Sequence, residues 1–285
     1  SGRVKEAYLR LLSEDEALLI ARGESESARV ALNQAQARYR AGEVARLEVL
    51  RSEVEFGRSE REAASALAHR DQARARLNVL VGREADAGVA VTANGVAPAA
   101  LPPLEGLIER AMDSRSDLRR AGLAIEREVA QRRLAQAGVW TGTEVAVLAG
   151  AVGGRPGFTT SLTLPIPLYR QQGEIAEAEA NRARAEAERE ALRREVTLEV
   201  GEAYREVAEA ARAARAYATA YMPQAERLLD NARRRSQVGE GSAAEVAEAG
   251  RALKAARAEQ RQATLAHRLA LAALERAAGV DLLGL

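Results

Sequence analysis

The sequence predicts a mainly α-helical protein of long antiparallel coiled-coil hairpins, broken once by a short β-hairpin. Three observations carry this. Strong helix formers, Ala, Glu, Arg and Leu, fill most of the 285 residues, and although 47% of the chain is apolar only 3% is aromatic, which favours thin helix seams over a thick core. Glycine pairs interrupt the helical tracts at matching places. One stretch alone, TSLTLPIPLYRQQGEI, alternates apolar and small polar residues and carries two prolines.

Residues 1–82 form the first hairpin, with its tip in YRAGEVARLEVL at Gly42 and its second arm closed by ARLNVLVG at Gly82. Residues 83–103, rich in Gly, Ala, Val and Pro, read as an extended linker. Residues 104–140 then supply a short helix from LPPLEGLIERAMDS and a longer one from DLRRAGLAIEREVAQRRLAQAGV, with Ser116 as its N-cap.

Residues 141–169 read as two strands. Val145, Val147 and Ala149 share one face of the first, and GGRPG supplies the turn. In the second, Leu162, Leu164, Ile166 and Leu168 share one face while Thr159, Ser161 and Thr163 take the other. An apolar face backed by a hydroxyl face suits a barrel strand between lipid and water; it also suits a soluble hairpin packed on helices.

Residues 170–285 form the second long hairpin. Val196, Val200, Ala203, Val207, Ala210, Ala214, Tyr217 and Tyr221 make a heptad seam, and about 65 residues of helix would reach about 100 Å. Pro223 in YMPQAERLL should kink this rod, SQVGEGSAAEV gives a tip at residues 239–242, and ALERAAG closes the arm at Gly279. The hairpins repeat one another: 197 residues separate Gly42 from Gly239 and Gly82 from Gly279, VKEAY matches VGEAY, and LAHR occurs in both.

Charge excludes several functions. The 42 basic and 41 acidic side chains interleave along the chain, leaving no basic patch for nucleic acid. Runs such as EAEREALRREV read as ion-paired helix faces, with Glu190 matched to Arg194. Cysteine is absent. His69 and His267 each stand alone in a helical arm and read as surface residues rather than metal ligands, and no cofactor is expected. GAVGG leads into a strand, not the helix of a phosphate loop, and GEGSAAE lacks a nucleophile's partners. No run of 18 apolar residues would span a membrane as a helix, a test that leaves a barrel open.

Taken in order, AMDSRSDLRRA, TLPIPLYRQQGEIAEAEA, YMPQAERLL and the tips YRAGEVARLEVL and QVGEGSAAEV resemble the TolC-like outer-membrane efflux proteins, in particular the CzcC-type branch serving heavy-metal pumps. The resemblance implies a homotrimer in the outer membrane. Each protomer would add strands to a shared lipid-embedded barrel and helices to a periplasmic tunnel, passing metal ions or small molecules from an inner-membrane pump and a periplasmic adaptor to the exterior. Val145, Val147, Leu162, Leu164, Ile166 and Leu168 would then face lipid. Pro165, Pro167 and Gly173 would form the swivel from barrel to tunnel. Gly42, Glu43, Gly239, Glu240, Gly241 and Ser242 would lie at the gate or adaptor-docking end, where Glu43 and Glu240 form either cation-favouring acidic rings or a solvated tip.

The family repeat holds a strand pair in each half, whereas this chain holds one pair, so an upstream segment with the first two strands is expected. The tips also differ from each other, with Tyr39, Leu47 and Ala45 opposite Ser236, Ala244 and Ser242. A soluble coiled-coil scaffold is the alternative reading. A periplasmic adaptor ranks last, because it would set one hairpin among β-rich domains.

Overall fold

The computed structural model describes residues 2–89, 91, 101–137, 144–152, 155–163, 170–238 and 240–281. In chain order the elements are α1 (Gly2–Arg40), α2 (Arg46–Leu80), α3 (Leu104–Ser114), α4 (Ser116–Ala137), β1 (Glu144–Val152), β2 (Arg155–Thr163), α5 (Arg170–Ala216), a π-helical turn (Tyr217–Tyr221), α6 (Met222–Gln237) and α7 (Ala243–Ala278). They divide into two compact units, one of residues 1–104 with 200–285 and the other of residues 105–199.

In the first unit α1 and α2 form one hairpin and α6 with α7 the other. At the open end of the first hairpin, buried Ala7, Leu11 and Leu77 pack with Val4, Tyr8 and Ala73. Each fully buried leucine contributes about 2 kcal/mol. The chain after α2 joins this cluster through Val89 and Val91, and buried Asn78 holds it there by donating to the carbonyls of Ala85 (3.1 Å) and Ala87 (2.8 Å). In the second hairpin Ala225, Leu229 and Ala232 meet Ala249 and Leu253, small residues that let the two backbones approach closely.

The repeat is visible in how the arms stop and where they attach. Gly82 and Gly279 both end their helices with positive φ, 75° and 66°. At each, the following N–H reaches back five residues, from Arg83 to Asn78 (2.8 Å) and from Val280 to Glu275 (3.2 Å). This left-handed cap is a conformation that glycine adopts without steric cost. The arginine of each LAHR reaches α1: Arg70 holds Asp15 at 2.8 Å and Arg268 lies 3.6 Å from Glu16.

The heptad seam of α5 is buried at Val196, Val200, Ala203 and Val207, half-buried at Ala210, Ala214 and Tyr217, and exposed at Tyr221. Where the sequence predicts a kink, the structure has a π-helical turn. Pro223 lacks an N–H and its ring crowds the carbonyl four residues back, so the helix widens just before it and Met222 N–H donates to Tyr217 O. Thr219 assists by bonding the Arg215 carbonyl at 2.9 Å. Charged helix faces are paired as expected, although Glu190 meets Arg193 (3.4 Å) rather than Arg194.

The second unit holds α3, α4, the β-hairpin and the start of α5. Arg115 links α3 to α4: its carbonyl accepts the Arg119 N–H at 3.2 Å, making it the cap, and Ser116 is the first helical residue instead. Its guanidinium grips Asp117 (2.7 and 3.1 Å) and Glu199 of α5 (2.5 Å). That bond outweighs burial and holds the Asp117 carboxyl below the usual range, while Arg115 is raised in turn.

Strands β1 and β2 pair antiparallel over nine residues each, Glu144 opposite Thr163 and Val152 opposite Arg155. The register corrects the expected turn. Arg155, Pro156 and Gly157 belong to the ladder, opposite Val152, Ala151 and Gly150, so residues 153–154 alone connect the strands.

Candidate functional site

Repeat-equivalent residues build the two tips, and in both the glutamate N–H donates to the arginine carbonyl five residues back, Glu43 to Arg38 and Glu240 to Arg235; the side chains are used differently. In the first, Gly42 takes φ 76°, its N–H donates to Tyr39 O (3.0 Å), and Glu43 N–H donates to Arg38 O (2.9 Å). This is a Schellman closure. Arg38 Nε then donates to Glu43 Oε2 at 3.2 Å, placing a cation against that carboxylate. Ala45 precedes α2 and offers no side-chain cap.

In the second tip Arg235 O accepts from both Glu240 N–H and Gly241 N–H, each at 3.0 Å. The Arg235 guanidinium donates to the Glu240 carbonyl (3.1 Å) and lies 3.6 Å from the Glu245 carboxylate. The Glu240 carboxylate therefore has no ion pair among the described residues. Gly241 sits so tightly that a Cβ there would lie 3.0 Å from both Arg235 Cβ and Ser236 N. Ser242 Oγ accepts from Glu245 N–H at 3.2 Å and caps α7, which is the S-x-x-E arrangement absent from the first tip. Gly239 lies outside the described residues.

Behind the tips, Lys254 of α7 joins both hairpins. Its ammonium bonds Glu24 of α1 (3.0 Å) and Glu62 of α2. Burial opposes the charge on Lys254, but the two carboxylates outweigh it and raise its pKa. The same hydrogen bond from Lys254 lowers that of Glu62.

The β-hairpin register puts positions 145, 147, 149, 158, 160 and 162 on one face, so Val145, Val147 and Leu162 share it as expected. Val147 and Leu162 are 66% and 60% exposed. Leu164, Ile166, Leu168, Pro165 and Pro167 lie outside the described residues. Gly173 falls inside the first turn of α5, which starts at Arg170 and so does not wait for the glycine. His69 is exposed, but His267 is not a surface residue: it is half-buried, its Nε2 finds no partner among the described residues, and burial, then Arg268, lowers its pKa. The described residues contain no cluster with the makings of a metal site and no helix long and apolar enough to cross a membrane.

The missed residues are the cations, Arg38, Arg235, Arg115 and Lys254. Only the first two left a sequence signal, since they are equivalent across the repeat.

The class defined by this architecture is a fold of long antiparallel helical hairpins with one β-hairpin, shared with solved outer-membrane channels. Residues 146–280 match the profile of the outer membrane efflux protein family, a little under half of the chain. Among solved structures, a membrane protein from Pseudomonas aeruginosa superimposes with a TM-score of 0.73 at 22% identity, over 98% of this chain and 67% of its own. CusC, described in connection with folding and transmembrane channel formation, gives 0.73 at 19% identity, over 97% of this chain and 67% of its own. The open state of the MtrE outer membrane channel of Neisseria gonorrhoeae gives 0.70 at 21% identity, over 99% and 66%. The chain thus spans about two thirds of the length of these proteins. No curated protein sequence matches it.

Proposed function

We propose that this chain is a subunit of a passive outer-membrane efflux channel. It acts as a homotrimer with a periplasmic adaptor and an inner-membrane pump, and conducts metal ions or small molecules without chemistry of its own. The observation that carries this reading is the β-hairpin. Two nine-residue strands pair only with each other among the described residues, leave both edges open, and expose Val147 and Leu162. An isolated two-stranded ribbon is marginal in water and its edges invite further strands. Strands of this length with one apolar face suit a shared barrel, with that face on lipid.

Two unlike surfaces on the helices support a ring. Leu47, Leu50 and Val54 stand exposed along α2, whereas α6 and α7 frame a groove of about 420 Å³ whose lining includes Ala225, Ala252, Ala255 and Ala256. A protruding stripe that fits a small-residue groove on the next copy is a head-to-tail contact, the kind that closes rings. The CzcC-type character of AMDSRSDLRRA and TLPIPLYRQQGEI favours metal ions as cargo, and the tips would face the adaptor.

The test is conductance in planar bilayers. Cation-preferring steps are expected, and Glu240→Gln should shift the reversal potential towards zero selectivity. A detergent-stable trimer that never conducts would contradict the channel reading.

A further inference from the structure

At the open end of the first hairpin, opposite its tip, lies a concavity of about 300 Å³ lined by Arg3, Glu6, Ala7 and Arg10 of α1 and Arg76 and Leu80 of α2. The four α1 residues lie at spacings of three and four on one helix face, and Arg76 and Leu80 lie one turn apart. Three arginines thus line one hollow, in a chain whose charges otherwise interleave and nearly cancel. The acids nearby are already engaged. Glu6 holds Arg276 of α7 at 2.7 Å, and Glu275 and Asp281 hold Lys5 at 3.1 and 2.9 Å. Arg3, Arg10 and Arg76 make no ion pair among the described residues. The cluster is not inherited from the repeat either, since VKEAY aligned on VGEAY puts Glu199 and Glu206 opposite Arg3 and Arg10, and the 197-residue offset puts Ala273 opposite Arg76.

We infer that this concavity binds a phosphate group carrying two or more negative charges, presented free or on a lipid headgroup. Guanidinium forks match phosphate oxygens two at a time, and these charge-assisted bonds are the strong ones. Three cationic side chains beside one carboxylate that is already engaged by Arg276 leave net positive charge, so a dianion gains both its own hydrogen bonds and relief of the remaining repulsion. Ala7 and Leu80 give the hollow an apolar part that accommodates the carbon skeleton of an ester. The inference stands apart from the conductance reading, because it concerns the end of the first hairpin opposite its tip.

Calorimetric titration of the full chain with sodium pyrophosphate, at ionic strength held constant with sodium chloride, tests the free form. Flotation with phosphatidylcholine vesicles, with and without phosphatidic acid, tests the lipid form. Saturable binding in either arm supports the inference, provided that R3Q/R10Q/R76Q weakens it by about a hundredfold and R22Q/R40Q/R46Q, which removes three charges elsewhere, leaves it within about twofold. R3K/R10K/R76K keeps the charge and loses the forks, and should bind about tenfold more weakly than the native chain. It substitutes for the Gln variant if circular dichroism shows that variant to have lost helix. No binding in either arm, or equal loss in the control variant, would overturn the inference.

Discussion

The two tips hold the same residues at equivalent places, Arg38 and Arg235, Glu43 and Glu240, Glu48 and Glu245, yet use them differently. The first closes on left-handed Gly42 and spends its arginine on the Glu43 carboxylate. The second makes the equivalent backbone bond from Glu240 to Arg235, packs Gly241 against its own helix end, and spends its arginine on the Glu240 carbonyl, leaving that carboxylate to solvent. The difference traces to small changes. Ser242 in place of Ala45 caps the following helix through its hydroxyl. A duplicated turn has diverged into one tip with a neutralised acid and one with a bare acid.

Substitutions break this contrast at graded cost. Gly241→Ala should be the most damaging, about 2 to 3 kcal/mol, because its methyl group meets Arg235 Cβ and the Ser236 backbone at 3.0 Å. Gly42→Ala has open space around it and suffers only for its positive φ, about 1 to 2 kcal/mol. Hydrogen exchange at the tip amides reads both, and equal losses would mean that the crowding at Gly241 carries no cost beyond that of a positive φ. Ser242→Ala should cost about 1 kcal/mol, while Ala45→Ser should gain a few tenths to about 1 kcal/mol by giving the first tip the missing cap.

In reversal-potential measurements Glu240→Gln should lower cation preference more than Glu43→Gln, and Arg38→Gln should raise it by freeing Glu43. An equal effect of the two glutamates would remove the functional side of the contrast. The smallest effect concerns the bridge that holds the hairpins together. Glu62 has a lowered pKa in the folded chain, so its contribution is present above the ordinary glutamate range and disappears as pH falls through the lowered value. Acid titration of thermal stability should show this loss, and Glu62→Gln should flatten it.

Much of the architecture was legible because it rests on local rules. Gly42, Gly82 and Gly279 mark real helix ends, since glycine reaches the positive φ of a helix end without steric cost. The alternation of Val145, Val147 and Leu162 placed them on one ribbon face for the same reason. What escaped depends on distance or compromise. Arg115 grips Glu199, 84 positions away, and Lys254 grips Glu24 and Glu62, pairings that no spacing rule announces. Pro223 signalled an interruption of the rod, but not that it would be a π-turn. His267 resembled His69 in sequence and differs only because other elements bury it.

The most direct test of the central claim is the molar mass of the chain by light scattering, with and without detergent. A lipid-facing ribbon in a three-fold ring predicts a species of three times 30.5 kDa that requires detergent. A soluble monomer or dimer in both conditions would contradict it.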